Sequence, residues 1–240
     1  MPPLVLLHGF TQTGASWEGV RAHLPVPAAA PDLRGHGAAA GSAPVDLDAV
    51  LADLDELVPG GATLAGYSMG GRIALHWALS RPGRLDRLVL VGASAGLADA
   101  TERAARRAAD EALAERIERK GVEAFADDWG ALAMWAGQSP AVAAAARAQR
   151  LAQEPVGLAA ALRGLGAGAL PSLWDRLAEL EVPVDLVVGE RDAKFRAVAT
   201  QMARALPMAG VTVVPGAGHA VHLEAPEAVA RILLAHRPGG

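Results

Sequence analysis

Gly66-Tyr67-Ser68-Met69-Gly70 has the spacing Gly-x-Ser-x-Gly, and it decides how the rest of the chain is interpreted. An apolar stretch of strand type, Ala62-Thr63-Leu64-Ala65, precedes it, and Arg72 to Ser80 follows with the pattern of a helix. Strand, sharp turn and helix form the context in which such a serine stands exposed above a sheet as a nucleophile. Glycine-rich turns between a strand and a helix are common, however. The pentapeptide therefore predicts a catalytic serine only if a base, an acid and an oxyanion hole accompany it.

Length, composition and charge limit the classes of protein. The chain has 240 residues, of which 52% are hydrophobic, and this suits one α/β domain with an insertion. No uncharged apolar stretch approaches the roughly 20 residues of a membrane helix, so no membrane partner is expected. The start of the chain lacks the basic segment and cleavage site of a signal peptide, which predicts a cytoplasmic location. The absence of cysteine excludes thiol nucleophiles, and a net charge of −4 gives no reason to expect nucleic acid as a partner.

Stretches of strand type alternate with amphipathic stretches of helix type at both ends of the chain. This alternation predicts an α/β fold with a mostly parallel, doubly wound sheet. The predicted strands are Leu4 to Leu7, Val26 to Leu33, Ala62 to Ala65, Leu85 to Gly92, Val182 to Gly189 and Val211 to Val214. The predicted helices around them are Ser16 to Leu24, Leu47 to Val58, Arg72 to Ser80 and Pro226 to His236.

Residues 96–170 show no strand pattern. The helices predicted there are Thr101 to Arg119, Glu123 to Trp135, Ala141 to Leu151 and Leu158 to Leu162. A helical block that is inserted after the fourth strand of the chain, downstream of the nucleophile, is typical of a lid over a site. The sequence therefore predicts a core of residues 1–95 and 171–240 and a helical lid of residues 96–170.

Candidate partners of Ser68 follow the last two predicted strands. In this topology the order along the chain is serine, acid and histidine, each at the carboxyl end of a strand. Asp192 and His219 occupy such positions. His219 would accept the serine proton, while Asp192 would hold the imidazole tautomer. Asp192 alone is equally typical of a helix N-cap, and a Gly-His pair of a turn, but three such residues in the right order favour a catalytic triad.

His8-Gly9-Phe10 ends the first predicted strand. In this position the backbone N–H of Phe10, together with that of Met69, would face a developing oxyanion; the alternative is a plain turn. His222 is the second candidate for the base. We expect His36 and Asp185 to be structural. No pair of histidine or acidic residues has the spacing of a metal site, and no metal or cofactor is predicted.

The nucleophile turn, the acid, the histidine and the alternating strands and helices together resemble the α/β-hydrolase superfamily over essentially the whole chain. The usual first strands of that sheet are missing, so Leu4 to Leu7 would lie near an edge. Gly189-Glu190-Arg191-Asp192-Ala193-Lys194-Phe195 is similar, more specifically, to the 2-succinyl-6-hydroxy-2,4-cyclohexadiene-1-carboxylate synthases of menaquinone biosynthesis. The other stretches that carry this resemblance are Gly66 to Arg72, Ala104 to Arg106, Phe125 to Trp129, Gly157 to Ala159 and Leu162 to Gly164.

The resemblance implies a lyase that eliminates pyruvate from 2-succinyl-5-enolpyruvyl-6-hydroxy-3-cyclohexene-1-carboxylate. Ser68, deprotonated by His219, would abstract the proton next to the succinyl ketone, and the oxyanion hole would hold the enolate. A substrate with several carboxylates requires arginines, which bind carboxylates in a bidentate fashion. By family likeness the substrate-binding residues are Tyr67, Arg72, Arg106, Trp129 and Arg150.

Other interpretations remain open from the residues. Arg72 is equally compatible with a salt bridge, and Arg106 lies in a stretch that would ordinarily be a solvated helix face. A serine hydrolase of esters or of carbon–carbon bonds would use the same triad, and a receptor without turnover would keep the fold. A small polycarboxylate is the expected partner, and a homo-oligomer is compatible with the sequence.

Overall fold

The structure, a computed structural model, describes residues 2–235, and its centre is a sheet of six strands. All five pairings between neighbouring strands are parallel. In chain order the strands are β1 (Leu4–Leu7), β2 (Ala28–Ala29), β3 (Ala62–Tyr67), β4 (Leu85–Val91), β5 (Val184–Gly189) and β6 (Ala209–Val214). The order across the sheet is β2-β1-β3-β4-β5-β6. Only the two-residue β2 therefore separates β1 from one edge, as the sequence predicts.

Helices follow the strands along the chain. The α-helices are α1 (Glu18–Arg21), α2 (Leu47–Leu57), α3 (Met69–Ser80), α4 (Ala100–Gly130), α5 (Pro140–Leu151), α6 (Pro155–Leu165), α7 (Ala193–Ala205), α8 (Val221–Glu224) and α9 (Pro226–Leu234). Short 3-10 turns lie at Gly14–Trp17, Gly37–Ala39, Ala133–Trp135 and Trp174–Glu179. Among residues 2–235, no helix combines the length and the apolar character that crossing a membrane requires.

The strands bury side chains on both faces of the sheet. Along β1, Val5 and Leu7 belong to one hydrophobic cluster, while Leu4 and Leu6 belong to a second. Successive residues of a strand point to opposite faces, so the uninterrupted apolar sequence of β1 follows from this two-sided burial. The first cluster includes residues of α2, α3 and α7, and the second includes residues of α1 and α9.

Two elements near the amino terminus differ from the sequence-based prediction. The strand predicted from Val26 to Leu33 is wrong in length, since only Ala28–Ala29 pairs with β1. Prolines at 25, 27 and 31 explain this, because proline has no N–H to donate to a strand ladder. The helix predicted from Ser16 to Leu24 is a 3-10 turn followed by the short α1, which ends at Arg21.

The helical block between β4 and β5 also differs in detail. The two helices predicted at Thr101 to Arg119 and Glu123 to Trp135 lie within α4 on either side of non-helical backbone at Gly121, and the second ends at Gly130 instead of Trp135. The next two helices are longer than predicted and form α5 and α6. At the carboxyl end the last helix stops at Leu234, and the predicted terminus at His236 lies outside the described residues.

The helical block has its own small core. Buried apolar residues of α4 and α6 form this cluster: Ala114, Ile117, Phe125, Leu158, Ala159 and Leu162. Phe10, which follows β1, packs against it together with Trp129 of α4. The block therefore contacts the sheet at the carboxyl end of β1, next to the serine-bearing turn.

Candidate active site

Ser68 lies at the junction between β3 and α3 in a backbone conformation that is unusual for serine. Its φ is 50° and its ψ is −105°, and its backbone N–H donates to the carbonyl of Val91 at 2.9 Å. A Cβ at Gly66 would clash with the carbonyl of Gly70, and a Cβ at Gly70 would clash with the carbonyl of His8. Only glycine therefore fits at the positions two residues before and two residues after Ser68. The strained turn presents the serine side chain at the end of the sheet.

Asp192 and His219 form a short hydrogen bond. His219 Nδ1 lies 2.6 Å from Asp192 Oδ2, while Asp192 Oδ1 accepts from the Phe195 N–H at 3.1 Å. Burial alone would raise the pKa of Asp192. The hydrogen bonds from His219 and the Phe195 N–H outweigh burial and hold this pKa below its usual value. Asp192 is therefore both the N-cap of α7 and an ionised partner for the imidazole.

His219 lies beside the residue that follows β4. A Cβ built on Gly92 would stand 3.2 Å from His219 Cε1, and the preceding residue, Val91, holds the backbone of Ser68. Among the hydrogen bonds of residues 2–235, Ser68 Oγ makes none. The structure thus brings Asp192 and His219 into direct contact. Ser68 lies at the end of β3, next to the end of β4 that His219 contacts.

The sequence assigns two backbone N–H groups to an oxyanion hole. The N–H of Phe10 lies in the turn after β1, and the N–H of Met69 lies at the start of α3. Neither the Phe10 N–H nor the Met69 N–H donates to another described residue. Thr11, the residue after Phe10, has a positive φ of 71°. Gly9 N–H donates to Gln12 Oε1 at 3.3 Å, which fixes the turn locally. Both predicted donors are therefore free to bind an oxyanion.

Tyr67 lies beneath the imidazole of His219. The two ring centroids are 5.4 Å apart, and the Tyr67 hydroxyl is buried without a hydrogen-bond partner among the described residues. Burial raises the pKa of Tyr67 well above its usual value, and the carboxylates of Asp192 and Glu224 act in the same direction. Tyr67 is therefore a neutral, unpaired donor next to the His219 ring.

Arg150 reaches the same region from α5. Its guanidinium lies 5.7 Å from the ring centroid of Trp135, whose ring is in turn 5.8 Å from that of His219. Both Arg150 Nε and Trp135 Nε1 are buried and lack a partner among the described residues. Burial lowers the pKa of Arg150. A buried, unpaired guanidinium is costly unless an anion binds there.

Arg72 lies on α3 and Arg106 on α4, and the charge of Arg106 acts on Arg72. Arg72 Nε is buried without a partner, and burial, aided by the charge of Arg106, lowers the pKa of Arg72 to about 10. Arg106 Nε donates to Asp110 Oδ1 at 2.8 Å, and its side chain is 44% exposed. The salt-bridge alternative for Arg72 receives no support from these contacts, whereas Arg106 has such a partner on its own helix.

Trp129 packs on the turn that follows β1. Its ring centroid lies 5.4 Å from that of Phe10 and 5.5 Å from that of Phe125. The structure therefore places Trp129 against the residue whose N–H is assigned to the oxyanion hole.

Several residues that contact the site were not predicted from the sequence. Trp135 and Phe195 flank His219, Phe195 at a centroid distance of 4.5 Å. Gln153, between α5 and α6, donates to the carbonyls of Thr11 and Gln12 at 3.4 Å each. The aromatic residues of the helical block were a usable signal for Trp135. No sequence pattern distinguishes Gln153 from a surface glutamine.

The other titratable candidates have structural partners. His222 Nε2 lies 3.1 Å from Gln12 Oε1, and burial lowers the pKa of His222 to about 3, so its imidazole is neutral. Burial likewise lowers the pKa of His36 to about 3. Asp185 pairs with Arg87 at 2.6 Å across β4 and β5. The described residues contain no group of three or more histidine, aspartate or glutamate side chains arranged to hold a metal ion.

Known proteins resemble this chain over nearly its whole length. Residues 4–232 match the model of the alpha/beta hydrolase family. A 2-succinyl-6-hydroxy-2,4-cyclohexadiene-1-carboxylate synthase from Enterobacter sp. (strain 638) is 36% identical, over 97% of this chain and 90% of the relative. The chain belongs to this synthase family of α/β hydrolases. The predicted family and the predicted α/β-hydrolase fold are therefore confirmed.

Two solved structures share the fold of this chain over nearly its whole length. MenH from S. aureus superimposes with a TM-score of 0.90 at 31% identity, over 97% of this chain and 92% of that chain. A malate-bound thermophilic esterase from Thermogutta terrifontis superimposes with a TM-score of 0.83 at 30% identity, over 97% of this chain and 88% of that chain. The synthase-like chain thus shares its architecture with at least one enzyme that is named for ester hydrolysis.

Proposed function

We propose that this protein eliminates pyruvate from 2-succinyl-5-enolpyruvyl-6-hydroxy-3-cyclohexene-1-carboxylate to give 2-succinyl-6-hydroxy-2,4-cyclohexadiene-1-carboxylate in menaquinone biosynthesis. The names of its relatives support this substrate. The observation that carries the proposal is the 2.6 Å pair of Asp192 and His219 beside the strained Ser68 turn. Buried arginines near that turn suit a substrate with several carboxylates.

In the proposed mechanism the triad acts as a base and forms no acyl-enzyme. His219 accepts the proton of Ser68, and the serine oxygen takes the proton from the carbon next to the succinyl ketone. The electron pair of that C–H bond forms an enolate, whose oxygen is held by the N–H groups of Phe10 and Met69. Collapse of the enolate through the ring double bond breaks the ring C–O bond. The enolate of pyruvate leaves, takes up a proton and becomes pyruvate.

Ser68 and His219 must approach each other for this step. Catalytic hydrogen bonds are often long in unliganded enzymes and shorten in the complex with substrate. Because ionised Asp192 binds His219 Nδ1, Nε2 is the nitrogen left to accept the serine proton in this proposal. The pair therefore holds the imidazole in the tautomer that the proposal requires.

The carboxylates of the substrate would bind on two sides of Ser68. Arg150, with Tyr67, offers unpaired donors on the His219 side. Arg72 offers them on the α3 side, and Arg106 lies next to it. Trp129 would form an apolar wall over the oxyanion turn. In this proposal residues 96–170 act as a lid that supplies Arg106, Trp129 and Arg150 to a core of residues 1–95 and 171–240.

The hydrolysis of esters is the second candidate. The resemblance to the Thermogutta esterase favours it, because the same three side chains would activate water or form an acyl-enzyme. The buried, unpaired guanidinium groups favour the lyase, since an uncharged ester would leave them without a partner. The cytoplasmic location and a homo-oligomeric state stay predictions.

One assay separates the two candidates. Purified protein is incubated with the enolpyruvyl precursor, and pyruvate is followed with lactate dehydrogenase, while a parallel reaction contains p-nitrophenyl acetate. If the protein is a lyase, pyruvate release is rapid and is inhibited by dicarboxylates, whereas ester cleavage is slow. Rapid ester cleavage without pyruvate would reject the lyase.

A further inference from the structure

Glu224 binds the peptide groups on both sides of His219. Its side chain, at the end of α8, is only 5% exposed. Oε2 accepts from the Gly218 N–H at 2.8 Å, and Oε1 accepts from the Ala220 N–H at 3.2 Å. One buried carboxylate therefore fixes the backbone immediately before and after the proposed base.

The same carboxylate is tied to the loop that carries Asp192. Arg191 Nη2 donates to Glu224 Oε2 at 2.6 Å, and the Arg191 backbone N–H donates to the carbonyl of Ala217 at 2.9 Å. A Cβ on Gly218 would stand 3.0 Å from Glu224 Oε1, which is closer than nearly all Cβ contacts. The loops that carry the acid and the base thus meet at Glu224.

The helical block is attached to this point as well. Arg191 Nη1 donates to the carbonyl of Gly137, and Gln138 Nε2 lies 3.5 Å from Glu224 Oε1. A Cβ on Gly137 would collide with Arg191 Nη1. Residues 137 and 138 come two and three positions after Trp135, whose ring flanks His219. The segment between α4 and α5 is therefore linked to the carboxylate that holds the His219 loop.

We infer that Glu224 is a positioning residue for His219 and that, through Arg191, it fastens residues 137–138 over the site. The inference rests on the proposed roles of Ser68 and His219. Glu224 touches no reacting atom in this scheme. It acts because an imidazole that is displaced by about 1 Å is a much poorer base, with losses of roughly a hundredfold.

Glu224→Gln tests the inference with little change in shape. The amide replaces one acceptor oxygen by a donor, which then faces N–H groups or the Arg191 guanidinium. The geometry of Ser68 and His219 is measured without substrate, as the second-order rate at which a fluorophosphonate labels Ser68. We expect labelling to slow by at least about tenfold and kcat for pyruvate to fall at least as much, with KM changed by less than about threefold. Glu227→Gln, an exposed change on α9, is the matched control and labels at the normal rate.

Labelling of Glu224→Gln at the rate of Glu227→Gln would overturn the inference. If Glu224→Gln does not fold, Arg191→Gln decides, because Arg191 is 37% exposed and Glu224 keeps the Gly218 and Ala220 N–H groups as partners when the guanidinium is removed. We then expect slower labelling than in the exposed control Arg231→Gln, and equal rates would overturn the inference. A labelling defect without any pyruvate release would reject the lyase but leave the role of Glu224 intact. Absence of labelling on Ser68 in the unmodified protein would reject both.

Discussion

Asp192 uses its two carboxylate oxygens for different purposes. Oδ1 caps α7 through the Phe195 N–H, and Oδ2 binds His219 Nδ1. From the sequence these functions looked like alternatives, because an aspartate before a helix is typical of an N-cap. The structure shows that one side chain meets both demands, since the strand end that places the helix start also faces the imidazole.

This arrangement allows the charge of Asp192 to be tested without loss of the cap. Asp192→Asn keeps an oxygen for the Phe195 N–H but presents a donor or a neutral acceptor to His219. We expect kcat for pyruvate release to fall by about 10³- to 10⁴-fold while the thermal midpoint stays close to normal. Asp46→Asn is the matched control, because Asp46 caps α2 by accepting from Ala49 N–H. Activity of Asp192→Asn equal to that of this control would contradict the assigned role.

Among the described residues, Arg72 and Arg150 are the two arginines whose Nε is buried without a hydrogen-bond partner. Asp110, whose charge acts on Arg72, accepts from Arg106 through Oδ1 and makes no hydrogen bond to Arg72 among the described residues. Arg72→Met keeps the apolar stem and removes the charge. If Arg72 binds a carboxylate equally in the ground and transition states, KM rises by about 10- to 100-fold and kcat is nearly unchanged. Steady-state kinetics of pyruvate release measures this, and an unchanged KM would remove Arg72 from the site.

At the level of elements, α4 contains the helix break that the sequence predicted between residues 119 and 123. The pattern indicated two helices, and the structure separates them at Gly121, whose φ of 80° and ψ of 178° are open almost only to glycine. The sequence located the break within a residue or two. It could not show that the helix resumes at once, because that depends on the packing of α4 against α6.

The special backbone at Gly121 gives a test of that element. The nearest atom to a Cβ there is Glu123 Oε2 at 3.5 Å, so Gly121→Ala has space but adopts a strained backbone. We expect a loss of about 1–3 kcal/mol in the free energy of unfolding. Urea denaturation measures it, with Gly41→Ala as control, because a Cβ at Gly41 meets nothing within 4 Å. Equal midpoints for the two variants would show that the break does not depend on glycine.

The candidate site was predictable to the extent that it depends on strand ends. The positions of Asp192 and His219 follow from parallel strands, whose carboxyl ends meet at one edge. Trp135, Gln153 and Glu224 were not predicted, since Trp135 and Gln153 contact the site across a large separation in sequence and Glu224 acts through hydrogen bonds to loop backbone. Such contacts arise from packing between loops and from buried hydrogen bonds, and neither leaves a periodic pattern in the chain.

At the scale of the whole molecule, buried neutral histidines link folding to pH. Burial lowers the pKa of His8 to about 4 and those of His36 and His222 to about 3. In the unfolded chain these groups titrate near their usual value of about 6.5. The unfolded state thus binds more protons, and stability is complete above that pH and is lost as the pH falls towards 3–4.

This linkage predicts acid sensitivity with a definite sign. Each of the three histidines contributes up to about 1.4 kcal/mol per pH unit between the two pKa values, or up to about 4 kcal/mol per unit together near pH 5. Urea denaturation at pH 7.5 and pH 5 measures the difference in the free energy of unfolding. A free energy of unfolding that is the same at both values would contradict the burial of neutral imidazoles.

The central claim is that Ser68, held above the sheet and served by His219 and Asp192, removes a carbon-bound proton and so releases pyruvate. The most direct measurement is the rate of pyruvate release from the enolpyruvyl precursor by Ser68→Ala, compared with Ser42→Ala and the unmodified protein at matched folding. We predict that Ser68→Ala is slower by at least about 10³-fold and that Ser42→Ala is unaffected. Release of pyruvate by Ser68→Ala at the rate of the unmodified protein would contradict the claim.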